Sequence, residues 1–202
     1  MMRFVVPKLR ILLASFSLAV SFVYLLDTHR QISAEKAQQD TLLDHPNWLG
    51  PYVPTPPEVI DAMLKLATVH EGDILYDLGS GDGRIIIRAA EKRSVHTVGI
   101  EFDEELCNVT RLAIREHHLE GRVRVIQGDI FEQDLSEASV VTAYLLPKSF
   151  GKIAPLLQTQ LKKGARVLSV NDEMPGWKFT KRINVWQNSG GRNWRVFLYV
   201  IR

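Results

Sequence analysis

Cysteine is all but missing from this chain. Cys107 is its one thiol among 202 residues, so neither an intramolecular disulfide nor a cysteine-built zinc site can form. Between Leu106 and Val109, Cys107 reads as a small buried helix residue. Charge of one sign is also lacking: 25 Lys and Arg stand against 23 Asp and Glu, a net charge of +2. That balance argues against a dedicated nucleic-acid surface, so no nucleic-acid partner is expected. The C-terminal cations Lys178, Lys181, Arg182, Arg192, Arg195 and Arg202 read as a solvated face. No repeat of solenoid length occurs. The length fits a single core with an appendage, and no second folded domain is expected.

One apolar run does occur. Residues 11–26 are sixteen uncharged, mostly apolar positions, preceded by Arg3, Lys8 and Arg10 and followed by Asp27. A spanning helix needs about 20 residues and a signal core about 7 to 15, so the run falls between them. Three readings stay open: an uncleaved anchor, a signal peptide cleaved near Ser33 and Ala34, and a mitochondrial presequence. Cleavage and export would separate the chain from the cofactor argued for below, which favours a single-pass anchor over residues 1–27. The catalytic domain is then expected on the cytoplasmic or organelle-matrix side, although the basic residues ahead of the run, taken literally, put it outside. Residues 28–48 read as a polar tether, and 49–202 as the catalytic domain.

The stretch DILYDLGSGDGR at 73–84 organises that domain. Ile74, Leu75 and Leu78 supply the apolar run of a buried parallel strand, and a helical pattern resumes at Ile85, Ile86, Ile87, Ala89 and Ala90. Between them, Gly79, Ser80, Gly81, Asp82 and Gly83 form a turn in which a ligand can lie against the backbone. A dinucleotide fingerprint would need a glycine at position 84, which is Arg84. Asp77 and Asp82 would repel a pyrophosphate and attract the ammonium and sulfonium groups of S-adenosylmethionine. An acidic residue for the ribose hydroxyls belongs at the end of the next strand, and HTVGIE at 96–101 supplies Glu101. The bland alternative makes Asp77 and Asp82 turn formers, but leaves Glu101 unexplained.

The remaining elements follow in order. Thr55 and Glu58 have capping-box spacing for a helix with Val59, Met63, Leu66 and Ala67 inward, ending near 70–72. Alternatively, this proline-stiffened segment folds over the cofactor cleft, with Tyr52 and Thr55 lining it. Asp103 caps a helix whose apolar positions include Leu106, Val109, Leu112 and Ile114. The third strand, 123–126, leads to Asp129, placed to accept from an adenine amino group or else to open the next turn, with Ile130 or Phe131 packing on the ring. A fourth strand from Ser139 runs out through Tyr144, Leu145 and Pro147. Open α/β sheets bind ligands at the carboxyl ends of their strands, so these three should face the transferred methyl group. A helix with Ile153, Leu156, Leu157 and Leu161, a fifth strand at 166–170, and a hairpin of 182–186 with 194–201 complete the chain. The expected fold is α/β, Rossmann-like: five alternating βα units and a C-terminal antiparallel hairpin in a seven-stranded class I methyltransferase sheet, with an N-terminal hydrophobic helix.

PYVPTP at 51–56, DLGSGDGR at 77–84, GIE at 99–101, Gly128 with Asp129, YLLP at 144–147 and Trp177 together resemble one family. It is the class I methyltransferases that include the lysine methyltransferases of the ATP synthase c subunit and the adenine nucleotide translocase, with their prokaryotic relatives. The resemblance covers about 46–178. It implies S-adenosylmethionine-dependent methylation of a protein lysine, on a membrane-associated acceptor. Tyr144, Leu145 and Pro147 would then wall a dry acceptor channel in which Tyr144 orients the amine, or Tyr144 is simply an aromatic closing a buried strand. Methylation of a small molecule or lipid, and a non-catalytic membrane-tethered module, are the rival functions.

Overall fold

The computed structural model describes residues 28, 30, 45–188 and 190–202. The chain divides into two units, Met1–Trp48 and Leu49–Arg202. In the first, the described residues include a turn closed by the Trp48 N–H on the His45 carbonyl at 2.9 Å. The hydrophobic run at 11–26 and most of the tether lie outside the described residues. No helix among the described residues is long and apolar enough to cross a membrane.

In the second unit, helix α1 (Pro57–Leu66) precedes β1 (Ile74–Leu78), and α2 (Arg84–Arg93) leads to β2 (His96–Glu101). Helix α3 (Glu104–Glu116) then leads to β3 (Val123–Gln127), and a 3-10 turn (Ile130–Glu132) to β4 (Val140–Ala143). Helix α4 (Pro147–Gln160), β5 (Arg166–Val170), β6 (Lys181–Gln187) and β7 (Arg192–Val200) complete it. The seven strands form one sheet in the order β3-β2-β1-β4-β5-β7-β6. Strands β1 to β5 pair in parallel, and β7 runs antiparallel between β5 and β6. The apolar faces of α1, α2 and α3 bury one side of the sheet, through Ile60, Met63, Ile86, Ala90 and Ile114. Helix α4 buries the other through Phe150, Ile153 and Leu157.

Several local expectations need correction. Helix α1 has no capping box: Pro56 is the N-cap in extended geometry (φ −62°, ψ 147°) with no side-chain bond, and Thr55 is buried. The paired prolines cause this, since each pushes the residue before it out of the helical region. The helix therefore starts at Pro57, where a missing N–H costs nothing. It also stops earlier, at Leu66, with Ala67 as C-cap, and its inward residues are Val59, Ile60, Met63 and Leu64.

In α3 the Asp103 cap holds, accepting from the Glu105 and Leu106 N–H groups. The inward stripe, however, is Cys107, Thr110 and Ile114, and Val109 and Leu112 are half exposed at 51% and 50%. Residues of modest size are needed there because a Cβ on Gly83 would already lie 2.5 Å from Thr110 Cγ2. Nor are there five helical crossovers. Strands β3 and β4 are joined through the 3-10 turn, and β5 and β6 through 171–180 without a helix. In that last segment Trp177 meets Tyr199 and Phe179 meets Phe197 edge-on, at centroid distances of 5.7 and 5.5 Å. Aromatic rings cover that side of the sheet where a helix would otherwise lie.

Candidate active site

The carboxyl ends of β1, β2 and β4 converge on the glycine turn. Gly79, Gly81 and Gly83 all have positive φ (74°, 56° and 77°), which an L side chain would strain. The turn's N–H groups face inward. Gly79 and Ser80 donate to the Ile100 carbonyl at 2.9 and 3.1 Å, Gly83 to the Ser80 carbonyl at 3.0 Å, and Gly81 to Glu101 Oε2 at 2.7 Å. The Arg84 N–H donates to Asp82 Oδ1 at 3.2 Å. A phosphate-binding turn presents such donors to its ligand; here they are already taken.

Asp77 stands at the centre. It is buried on β1 in register with Thr142 of β4, whose hydroxyl donates to Oδ1 at 2.6 Å. Its Oδ2 is buried without a partner, as is the Ser80 hydroxyl. Burial, assisted by the nearby negative charges of Glu101 and Asp82 and opposed by the Thr142 bond, pushes the Asp77 carboxyl up to about 7. A buried carboxylate oxygen with no donor is an uncompensated cost. A ligand cation or N–H would remove it. Asp77, Ser80 and the inward-facing glycine turn thus fit a cationic adenosyl cofactor and not a pyrophosphate.

Asp82, expected to add to that negative field, is instead matched by Arg84. The guanidinium forks onto it, Nε to Oδ1 at 2.9 Å and Nη2 to Oδ2 at 2.7 Å. Burial raises the Asp82 carboxyl, but Arg84 and the Tyr52 hydroxyl outweigh it and hold it below the usual carboxylate range. Arg84 also donates to Tyr52 Oη at 3.0 Å and to the Thr55 carbonyl at 3.3 Å. The proline-rich segment is thereby clasped over the turn. The Tyr52 ring lies on Gly81, where a Cβ would come within 2.6 Å of it. In the sequence Arg84 reads only as the residue that breaks a dinucleotide fingerprint. Its position next to Asp82 was the available sign of the clasp.

Glu101 closes β2. Its Oε1 accepts from the Phe102 and Asp103 N–H groups at 2.8 and 2.9 Å while Oε2 holds Gly81, so it braces the turn as well as facing it. Asp129 is buried and its Oδ1 accepts from the Phe131 N–H at 2.9 Å, which makes it the cap of the 3-10 turn. Ile130 is buried and Phe131 half-buried behind it.

At the end of β4, Leu145 lies over Gly79, 3.2 Å from where a Cβ would be. Pro147 opens α4 at the surface. Tyr144 is half-buried, edge-on to Trp194 at 5.5 Å, and its hydroxyl accepts from Asn171 Nδ2 at 3.3 Å. The structure thus brings Tyr52, Thr55, Asp77, Gly79, Ser80, Gly81, Asp82, Gly83, Glu101 and Leu145 together around one turn. Neither Thr142 nor Trp194 stands out in the sequence as a site residue. Thr142 alone left a trace, as a polar residue inside an apolar strand.

Known proteins resemble this chain in sequence and fold. The family model described as the ANTKMT methyltransferase domain matches residues 77–181. A protein-lysine N-methyltransferase of Saccharolobus islandicus (strain REY15A) is 43% identical over 152 residues, spanning 75% of this chain and 93% of the relative. The lysine N-methyltransferase of the ATP synthase c subunit from Xenopus laevis is 31% identical over 127 residues, 63% of this chain and 55% of the relative. A solved structure described as an RNA methyltransferase from Salinibacter ruber, in complex with S-adenosyl-L-homocysteine, is 44% identical with a TM-score of 0.69, covering 74% of this chain and 94% of that one. The cofactor is S-adenosylmethionine, and the chain belongs to the ANTKMT methyltransferase family.

Proposed function

We propose that this protein methylates the ε-amino group of lysine in an acceptor protein. The near full-length similarity to the protein-lysine N-methyltransferase of Saccharolobus islandicus carries this reading. The lysine methyltransferase of Xenopus laevis supports it.

When bound, the cofactor supplies an electrophilic methyl group carried on a sulfonium. Asp77 and Ser80 receive its polar groups, Glu101 meets its ribose, and Asp129 with Ile130 and Phe131 borders its adenine. Tyr52 and Thr55, held by Arg84, close the cleft against water. Displacement at a methyl carbon needs alignment more than acid–base help. The chain's task at the acceptor is therefore to hold an unprotonated amine in line. Lysine ordinarily loses its proton at about 10.4, and a channel lined by Tyr144 and Leu145, with Pro147 at its solvent mouth, favours the neutral form by excluding water. The Tyr144 hydroxyl, already accepting from Asn171, keeps a lone pair with which to orient the amine.

The uncharged run at 11–26 supports an acceptor at a membrane, with residues 1–27 as anchor, 28–48 as tether, and the catalytic domain on the cytoplasmic or matrix side. An RNA acceptor is the second reading. It is favoured by the description of the Salinibacter ruber neighbour and by the basic C-terminal hairpin.

Incubation of the purified protein with cell lysate and tritiated S-adenosylmethionine, followed by separation of protein, RNA and lipid, tests the proposal. Label should enter protein and emerge as methyl-lysine after acid hydrolysis. Label confined to RNA or lipid would overturn it.

A further inference from the structure

Residues 174–202 contain Lys178, Lys181, Arg182, Arg192, Arg195 and Arg202 and no Asp or Glu, whereas residues 1–173 carry 19 cations and 23 carboxylates. The chain's slight positive charge therefore resides in this C-terminal stretch. None of the six forms an ion pair among the described residues. Strand β6 is a free edge of the sheet. Its residues Ile183 and Val185 pack into the core on the α1 side, so by alternation Arg182, Asn184 and Trp186 face the other way. Pairing places Asn193 and Arg195 of β7 beside Trp186 and Asn184 on that same face. All five are exposed, Trp186 to 60%.

Basic residues at an edge commonly serve to prevent strand pairing, but an edge defended against association would not expose an indole. Trp and Arg are the residues that anchor interfaces. The backbone that carries this face is also tied to the acceptor side of the site, where Tyr144 packs on Trp194 from the sheet's other side. Asn171 donates its N–H to the Arg195 carbonyl at 2.7 Å, accepts the Arg195 N–H on Oδ1 at 3.2 Å, and donates from Nδ2 to Tyr144 Oη at 3.3 Å. A single residue separates Arg195 from Tyr144.

We infer that this face, Arg182, Asn184, Trp186, Asn193 and Arg195, docks an acidic segment of the acceptor protein next to the lysine to be methylated. The inference rests on the lysine-methylation reading of the same site and adds the chemistry of the acceptor. Trp186 supplies the apolar anchor, and the two arginines complement aspartate and glutamate flanking the target.

Two fluorescein-labelled peptides test it, one with a single lysine flanked by Asp and Glu, the other with the same lysine flanked by Ser. Binding is read by anisotropy and turnover by methyl incorporation. The acidic peptide should bind the wild-type protein about tenfold more tightly at low salt, an advantage that shrinks toward 0.5 M salt. Trp186→Ala should raise KM for the acidic peptide about fivefold, and Arg182→Glu with Arg195→Glu should abolish the preference. Affinity for S-adenosylhomocysteine should stay unchanged in all variants. Equal binding of the two peptides, or an RNA oligomer that displaces the acidic peptide and loses affinity in the same variants, overturns the proposal. Because binding is read apart from turnover, a peptide that binds as expected and is never methylated counts against the lysine reading and not against the docking face.

Discussion

At the residue scale the site is organised by one side chain whose chemistry is incomplete. Asp77 is buried, half-satisfied by Thr142, and titrates near 7, so the fold carries it protonated in mildly acidic solution and strained as a carboxylate in mildly alkaline solution. The folded protein holds a proton here that the unfolded chain has already released above the ordinary carboxylate range. Stability of the cofactor-free protein therefore falls as pH rises from about 4 to about 7, by up to about 4 kcal/mol. Thermal melts without cofactor should show Tm dropping by about 5 to 10 °C from pH 5 to pH 8, and Asp77→Asn should flatten the slope. An equal slope in that variant would place the titrating group elsewhere. The importance of Asp77 was legible in its position before the glycines, but its missing partner was not. Whether a carboxylate in such a turn is matched depends on what the other strands bring. Thr142 is 65 positions away and gives Asp77 one bond; Arg84 forks onto Asp82, two positions before it, and pairs that carboxylate directly.

At the element scale, the parallel strands were the most readable parts because they are continuous apolar runs: β2 at 96–101 and β5 at 166–170 fall where the sequence put them. The helices were harder. A helix on a sheet buries a stripe whose phase is set by what lies beneath it: in α3 the buried Cys107 is as the sequence reads, but the underlying glycine turn brings in Thr110 rather than Val109 and Leu112. Missing helices left no signal at all, since aromatic residues in an irregular segment can cover a sheet as well as a helix does.

The amino ends of β1, β4 and β5 are tied by another feature no local pattern announces. Asp73, buried, accepts from the His70 N–H at 3.0 Å and the Ser139 hydroxyl at 2.7 Å and pairs with Arg166. Arg166 in turn donates to the Ala67 carbonyl at 2.8 Å. Removing one partner of a buried pair strands the other charge. Arg166→Ala should cost about 3 kcal/mol in urea denaturation while leaving cofactor affinity intact, because the knot lies at the opposite end of the strands from the glycine turn. A loss under about 1 kcal/mol would mean that solvent already shares the charge.

At the scale of the whole molecule the chain separates its tasks. One end of the sheet is a structural knot; the other carries a cofactor turn clasped by the proline-rich segment; the C-terminal stretch from 174 collects the positive charge. The near-zero net charge is an acidic body cancelling a basic C-terminal stretch, whose six cations are legible in the sequence. Strand pairing was needed to place Arg182 and Arg195 side by side with Trp186 on one exposed face.

Calorimetric titration of S-adenosylhomocysteine into the wild-type protein and into Asp77→Asn at pH 7.5, with ATP as the phosphate-bearing control, tests the central claim most directly. The account predicts saturable binding to the wild type, weakened about tenfold or more by the substitution, and no competition from ATP. Wild-type affinity in Asp77→Asn, or displacement of the adenosyl ligand by ATP, would contradict it.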